Sequence, residues 1–331
     1  MTTAMLSLRP LLVAIVVPLA IGTGWSREAR VMLPEPDTRV TARAVALDPD
    51  DPARRRLGKL RYQGGVELTG RDLVFGGYSA LSVRGDRFTL LSDDANILRF
   101  TMGRDWRVRD VGLSSLPGGP DIGWTKRERD SESMTIDPAT GRVWVGFEQY
   151  NEIWRYAPGL IRAEAGVAPP AMANWRSNGG VEAMARLADG RFVAFSESVP
   201  YGESMRAGLL WAGDPVASLA SAIRFRYRTA LGFRPVDLAE LPNGRLLVLE
   251  RRFQLPFRWS NRLVVINRAA LMAGATVRGR EIARLQAPLI HDNFEGVAVV
   301  REGPAVMLWL VSDDNRLPMQ RTLLLKFQLN G

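Results

Sequence analysis

One hairpin pattern recurs five times along this 331-residue chain. Each copy begins with a segment in which an acidic or hydroxyl residue is followed by apolar residues at alternate positions. A turn follows, and then a second, apolar segment that ends on an acidic residue. The first segments start at Ser79, Glu132, Glu182, Asp237 and Glu295, so they are 53, 50, 55 and 58 residues apart. Strand-only repeats of this length are typical of propeller blades. The sequence therefore predicts an all-β fold, a β-propeller.

The blade number depends on the alternating segments that precede the first hairpin, between residues 57 and 75. They either pair beside Thr322–Leu329 and complete the last blade, or belong to a sixth blade with a degenerate hairpin. Closing the ring in the first way removes exposed edge strands, which otherwise invite aggregation. We therefore expect five or six blades, closed by pairing of the N- and C-terminal strands.

The N-terminal segment reads as a secretory signal peptide. An apolar run over Leu11–Ile21 follows Arg9, and small residues follow the run. The run is too short for a comfortable membrane span. We predict a signal peptide over residues 1–26, an irregular lead-in over 27–56 and a single domain over 57–331. This favours a periplasmic or secreted protein with no stable membrane span after cleavage; the alternative is an N-terminal anchor in the inner membrane.

Composition excludes several classes of function. The chain has no Cys, so it has neither disulfides nor thiol catalysis. Its net charge is +9, but the basic residues are spread along the chain rather than collected in a stripe, which disfavours nucleic acid as a partner. His291 is the only histidine, so multi-histidine zinc sites are excluded. No Gly-x-Ser-x-Gly elbow, P-loop or dinucleotide motif is present.

Hairpin geometry predicts where the acids meet. The first residue of one strand lies beside the last residue of its partner, at the end away from the turn. All blades of a propeller point the same way, so these pairs gather at one mouth of the central channel. The carboxylates assigned to this mouth are Asp93, Glu132, Glu148, Glu182, Glu197, Asp237, Glu250, Glu295 and Asp313.

Clustered carboxylates repel one another and need a counterion. One solution is Ca²⁺, which takes about six to eight oxygen ligands; the other is pairing with nearby Arg side chains. Both stay open on the residues alone. The candidate metal ligands are Asp93, Glu148, Glu197, Asp237, Glu250, Asp313, Asp314 and Asn315, and the candidate cofactor is Ca²⁺.

The candidate catalytic residues are Glu132, Glu182, Glu295 and His291. His291 immediately precedes the segment Asp292–Glu295, and a lone histidine there is able to act as a general acid or base. The alternative is a loop histidine that is exposed or hydrogen-bonded and has no chemical role.

Several motifs resemble one bacterial family, the phytase-like domain named for "esterase-like activity of phytase". They are Gly77–Val83, Leu91–Asp94, Asp130–Ser133, Asn178–Glu182, Asp292–Gly296, Leu310–Asn315 and Gln320–Leu325. The resemblance covers roughly residues 60–329. It implies ester hydrolysis and a relation to β-propeller phytases, which use Ca²⁺ in an acidic channel to hydrolyse phosphate monoesters. The residues that occupy the family's recurring acidic motifs are Glu132, Glu182, Glu295, Asp313, Asp314 and Asn315.

Three functions agree with these observations. The first is an exported phytase-like or esterase-like hydrolase, Ca²⁺-dependent, that acts on phosphate or other esters at the acidic mouth. The second is a lactonase-like hydrolase with one metal held by Glu, Asp and Asn. The third is a non-catalytic propeller that binds a ligand or partner of the cell envelope. We expect a monomer with a small anionic or ester substrate.

Overall fold

The structure is a computed structural model, and it describes residues 37–121, 123, 125–197, 204–217, 221–256 and 258–330. The predicted signal peptide over residues 1–26 lies outside this part of the chain. Within it, no helix has the length and apolar character that a membrane crossing requires.

The chain forms five antiparallel sheets around a common axis, each entered from its innermost strand. Three strands precede the first full sheet: β1 (Val40–Ala44), β2 (Arg56–Leu57) and β3 (Leu60–Gly70). Blade one contains β4 (Tyr78–Arg84), β5 (Arg87–Ser92), β6 (Asn96–Met102) and β7 (Val108–Ser115). Blade two contains β8 (Ser131–Ile136), β9 (Val143–Phe147), β10 (Glu152–Tyr156) and β11 (Ala163–Val167).

Blades three and four follow the same order, with one added strand. Blade three contains β12 (Val181–Arg186), β13 (Phe192–Ser196), β14 (Met205–Trp211) and β15 (Ile223–Arg228), and its outer edge gains β19 (Thr276–Arg278) in parallel. Blade four contains β16 (Arg234–Glu240), β17 (Leu246–Gln254), β18 (Arg258–Ile266) and β20 (Arg280–Leu285). Short 3₁₀ turns lie at Lys126–Arg129, Pro158–Leu160, Pro170–Met172 and Arg268–Ala270.

Blade five joins the two ends of the chain. It is built from β21 (Phe294–Glu302), β22 (Ala305–Ser312) and β23 (Thr322–Leu329), after which β3 and β1 complete the sheet. β23 pairs with β3 in antiparallel register, for example Leu324 with Val66. The predicted closure is confirmed and the blade number is five. The prediction of an irregular lead-in is wrong over Val40–Ala44, because this segment forms β1 at the sheet edge.

Apolar layers fill the spaces between neighbouring blades. The largest cluster lies between blades four and five and includes Leu249, Leu263 and Leu308. The innermost strands of successive blades contact one another around the axis, and β8 also contacts β16 across it. The channel is therefore narrow.

Each inner hairpin carries a β-bulge at the end away from its turn. The residues skipped by the pairing register are Ser79, Glu132, Glu182, Val236 and Glu295, one per blade. A bulge re-aims the side chain of the extra residue. The fold thus gives one special position per blade at the mouth, and three of the five hold glutamate.

Candidate functional site

The mouth is formed by two equivalent positions from every blade. The first is the bulged residue of the inner strand. The second lies in the second strand or directly after it, one residue after the partner of the residue that precedes the bulge. The side chains at this second position are Asp93, Glu148, Glu197, Arg251 and Asp313. Blade four breaks the acidic pattern at both positions, with Val236 and Arg251.

Asp237 and Glu250 do not lie side by side at the mouth as predicted. The register pairs Glu250 with Pro235 and Asp237 with Leu249, so both residues are displaced by one. Glu250 is fully buried, accepts a hydrogen bond from the Tyr227 hydroxyl at 2.5 Å and pairs with Arg262. A signal for this existed in the sequence. In blades one to three the acid lies six residues after the arginine that follows the turn (Arg87 to Asp93, for example). In blade four Glu250 lies only five residues after the equivalent arginine, Arg245.

Asp237 joins two blades through backbone hydrogen bonds. Its Oδ2 accepts from the Val297 amide at 2.7 Å, and its Oδ1 accepts from the Leu238 amide at 2.8 Å. Burial raises the pKa of Asp237 well above its usual value, while these two amides act in the opposite direction. The carboxylate therefore ties blade four to blade five.

We expect Asp237→Asn to destabilise the fold, because an amide has one acceptor oxygen and leaves one buried N–H without a partner. The expected loss is about 1–3 kcal/mol in the free energy of unfolding. Urea unfolding of the variant beside Asp189→Asn, a surface change, measures it. Equal stability of the two variants would contradict a bridging role for Asp237.

Five carboxylates from blades two and three meet around Glu148. Asp130, Glu132 and Glu148 each offer one oxygen, and these oxygens lie within 4.8 Å of one another. The same holds for Glu148, Glu182 and Glu197. Glu148 and Glu182 are buried, whereas Glu132 is partly exposed to solvent. We call Asp130, Glu132, Glu148 and Glu182 the acidic quartet.

No cation in the described part of the chain pairs directly with the quartet, although the charges of Lys126 and Arg251 act on it from a greater distance. Within the described part of the chain, none of its members has a Lys or Arg nitrogen within 4.0 Å. The pKa values of Glu132 and Glu182 are raised well above the usual value for glutamate. Desolvation is the main cause, and the negative charges of neighbouring carboxylates are the second. Burial raises the pKa of Glu148 to about 8. Glu148 therefore retains its proton at neutral pH unless a cation is close to it.

Arg251 neutralises the opposite side of the mouth. Its Nη2 lies 2.9 Å from Glu197 Oε1, its Nη1 pairs with Glu295, and it also donates to Asn293 Oδ1 at 2.9 Å. Arg234 reaches the other Glu197 oxygen, also at 2.9 Å. Although burial acts in the opposite direction, the two guanidinium groups lower the pKa of Glu197. Glu197 and Glu295 are thus already paired.

Cations also occupy the side formed by blades one and five. Lys126 Nζ lies 2.6 Å from Asp93 Oδ2, and Arg316 Nη2 lies 2.8 Å from Asp94 Oδ2. Burial raises the pKa of Asp93 to about 6 and the pKa of Asp313 to about 7. Lys126 begins the 3₁₀ turn just before β8 and is not a candidate on sequence grounds, because its contact with Asp93 joins residues from different blades.

Three other candidates lie outside the carboxylate cluster. Asp314 accepts from the Gly77 and Arg316 amides, both at 3.0 Å, and so ties blade one to blade five. Asn315 is exposed and its amide contacts Gln320. The Nδ1 atom of His291 lies 2.7 Å from the backbone carbonyl oxygen of Leu289, within hydrogen-bond distance.

The quartet fits a hard divalent cation. All of its donors are carboxylate oxygens, the ligand type that Ca²⁺ prefers, and Glu148 is shared by the two groups of three whose oxygens lie close together. An Arg counterion, the alternative considered from sequence, is present for Glu197 but absent for the quartet within the described residues. Arg pairing therefore accounts for Glu197 and Glu295, whereas no ion pair within the described residues accounts for the quartet.

A family profile described as phytase-like, "Esterase-like activity of phytase", matches residues 74–316. The chain belongs to the phytase-like family. This match includes every member of the quartet and confirms the resemblance seen in the sequence motifs. No curated protein is similar enough in sequence to count as a match.

Solved structures with a similar fold are distant in sequence. Hydrazine synthase of Kuenenia stuttgartiensis is 12% identical over 73% of this phytase-like chain and 58% of that chain, with a TM-score of 0.36. The Cps50 (Swd1) β-propeller domain of Myceliophteria thermophila is 11% identical over 75% and 71%, with a TM-score of 0.37. A chain of a nidogen/laminin complex is 9% identical over 86% and 93%, with a TM-score of 0.43.

Proposed function

We propose that this phytase-like protein is an exported, Ca²⁺-dependent hydrolase of phosphate or other esters, with its reaction site at the acidic mouth. The observation that carries the proposal is a quartet of carboxylates with no ion pair among the described residues, beside acids at the same mouth that Lys126 and Arg251 neutralise. If the quartet had only a structural role, pairing with Arg, as seen at Glu197, would be sufficient to neutralise it. Family membership supports the same reaction class.

In this proposal Asp130, Glu148 and Glu182 hold the cation. The bound cation would neutralise charge on the substrate and lower the pKa of a water molecule. Glu132 lies next to these ligands and is the quartet member that solvent reaches most easily. It is therefore placed to accept a proton as water attacks the ester phosphorus or carbonyl carbon, and to return that proton to the leaving oxygen as the ester bond breaks.

An anionic substrate would bind at the mouth through the cation. Lys126 and Arg316 lie on the blade-one side of the mouth, and Arg251 lies on the blade-four side. Each is paired with at least one carboxylate, so this side of the mouth carries no excess positive charge. A small ester with one anionic group would therefore be held by the bound cation.

The proposal is tested with purified full-length protein and a panel of 4-nitrophenyl phosphate, 4-nitrophenyl acetate and a simple lactone. Hydrolysis that is lost in a chelator and restored by Ca²⁺ is expected for a phosphate or carboxylate ester. Preference for the lactone would favour the lactonase-like alternative. Ca²⁺ binding with no turnover of any substrate would favour the non-catalytic alternative.

We further expect Ca²⁺ to raise the melting temperature, by more at pH 8 than at pH 6. At a free concentration a hundredfold above Kd, a ligand that binds only the folded state adds about 2.7 kcal/mol, or about 5 °C. The pKa of Glu148 is about 8 in the folded protein and 4.5 ordinarily, so the metal-free fold binds more protons than the unfolded chain between these values. Its stability therefore falls as pH rises through that window, and Ca²⁺ competes with fewer protons at the upper end.

Differential scanning fluorimetry at both pH values measures this shift. Glu148→Gln with Glu182→Gln should abolish it, while Glu67→Gln with Glu302→Gln, a matched pair in blade five, should retain it. A Ca²⁺ shift that is the same in all three proteins would exclude the quartet as the binding site.

A further inference from the structure

One hairpin of blade four extends beyond the mouth. β17 and β18 continue their pairing past Arg251, the mouth residue of this blade, and place Phe253 opposite Trp259. In the other four blades the second strand ends one residue before the mouth position, at Ser92, Phe147, Ser196 and Ser312. Blade four therefore adds a two-stranded segment above the level of the acids.

Two aromatic side chains lie on the face of this segment that continues from Arg251. Residues two apart on a strand share a face and are about 6.7 Å apart, so Phe253 is on the same face as Arg251 and farther from the channel. Directly opposite residues of an antiparallel pair also share a face, which places Trp259 beside Phe253. The two ring centroids are 4.6 Å apart, with the ring planes tilted by 45°. We call Phe253 and Trp259 the aromatic wall.

The aromatic wall adjoins the mouth through Arg251. The guanidinium carbon of Arg251 lies 5.7 Å from the centre of the Trp259 ring, a cation–π distance. The same guanidinium donates to Glu197 Oε1 at 2.9 Å, and Glu197 has an oxygen within 4.8 Å of oxygens of Glu148 and Glu182. One arginine and one carboxylate therefore separate the wall from the proposed cation ligands. A substrate that is bound to the cation and extends toward blade four would lie against these rings.

The wall offers ring surface and little hydrogen-bonding capacity. Phe253 is 37% exposed and Trp259 is partly exposed, so a ligand is able to reach both rings. The polar groups on this face are bonded or buried: both terminal nitrogens of Arg251 pair with carboxylates, Trp259 Nε1 is buried, and Asn261 is only 1% exposed. A sugar would find no partners for its hydroxyls there among the described residues. A flat apolar group is therefore favoured over a polyhydroxylated one.

We infer that the aromatic wall binds an aromatic ring of the substrate, so that the enzyme acts on esters that carry such a ring beside an anionic reacting group. The inference rests on the proposed function, because the cation at the quartet holds the reacting group while the wall holds the ring. An aromatic ring is favoured over an alkyl group of the same size, since an aromatic pair contributes more than its buried area. The planar guanidinium of Arg251, at the foot of the wall, also stacks on aromatic rings. Phe253 and Trp259 thus determine specificity and take no part in bond breaking.

The test measures binding without turnover, using phosphonates that end in a phenyl or a cyclohexyl group. The carbon chain between phosphorus and ring is varied from one to four atoms, so that one pair matches the distance from the cation to the wall. Isothermal titration calorimetry of the full chain with Ca²⁺ should show the phenyl member of that pair binding about tenfold more tightly, roughly what one or two aromatic contacts contribute.

Two variants locate the ring. Phe253→Leu with Trp259→Leu should remove the phenyl preference, because leucine keeps an apolar surface but has no aromatic ring. Ile161→Ala, an exposed apolar change between β10 and β11 at the other end of the propeller, should keep it. If the double variant does not fold, Phe253→Leu alone makes the same comparison at the more exposed position. It should lower the preference about threefold, and Phe253→Tyr, which keeps the ring, should restore it.

Equal binding of the phenyl and cyclohexyl members to the parent would overturn the inference and leave the proposed function standing. A phenyl preference that persists without the ring of Phe253, or without both rings, would also overturn it, since the ligand is then bound elsewhere. If no phosphonate of either kind binds in the presence of Ca²⁺, the proposed cation site is wrong and the inference falls with it. Binding of the cyclohexyl members therefore tells the two failures apart.

Discussion

Replacing Glu132 by Gln is expected to lower kcat for the preferred ester by about 10²- to 10⁴-fold, the usual contribution of a positioned acid or base. Glutamine keeps the shape of the side chain but neither accepts nor returns a proton. Since Asp130, Glu148 and Glu182 remain, Ca²⁺ should still raise the melting temperature of the variant. Steady-state kinetics and thermal unfolding with and without Ca²⁺ separate the two effects.

The control for this experiment is Glu302→Gln, which changes an exposed acid at the end of β21, away from the mouth. It should leave kcat within about twofold of the parent, as surface changes away from a site usually do. If Glu132→Gln loses activity and the Ca²⁺ response together, Glu132 is a ligand and not the proton-transfer group. If it retains activity, the assignment is wrong.

Arg251→Met should be the most destabilising single change at the mouth. Arg251 is the shared partner of Glu197 and Glu295, and its removal leaves one of the two buried carboxylates, Glu295, without a cation within the described residues. Breaking a buried ion pair from one side costs about 3–5 kcal/mol. Urea unfolding at pH 7.0 measures the loss, and a repeat at pH 5 should show a smaller one, because carboxylates that protonate no longer require the cation.

Two further variants separate charge from packing. Arg258→Met, an exposed change in the same blade, should alter stability by less than about 0.5 kcal/mol. Arg251→Met combined with Glu295→Gln should recover part of the loss, since the unpaired charge is then gone. A double variant as unstable as Arg251→Met alone would show that packing of the guanidinium, and not its charge, stabilises the mouth.

Most of the architecture follows from patterns that are local in the chain. Hairpins with plain turns, such as Asn243–Gly244, and alternating apolar residues are sufficient for all-β blades. Similar spacing then favours a ring, and the strands before Tyr78 protect their edges by joining the last blade, one of the two arrangements that the sequence allows. The acids of blades two, three and five were correctly assigned to one mouth for the same reason, since a hairpin brings its open ends together.

The error in blade four shows where local reasoning ends. Asp237 and Glu250 look like their counterparts in sequence, but a one-residue difference in register turns a side chain to the other face of a strand. The bulge places Val236 and Arg251 at the mouth instead. Counting from Arg245 would have shown the difference for Glu250, but not that Arg251 would pair with acids from two other blades.

The sequence by itself determined the fold class, the ring closure and the acidic character of one mouth, because each depends on residues close together in the chain or on a repeated spacing. Only the tertiary structure decided how that charge is divided. A carboxylate at the mouth is paired with Arg251, is paired with Lys126, or belongs to the quartet and has no ion pair. Which of these applies depends on distances between residues in different blades. Electrostatic energy falls with those distances and with exposure to water, and neither is written in the order of the residues.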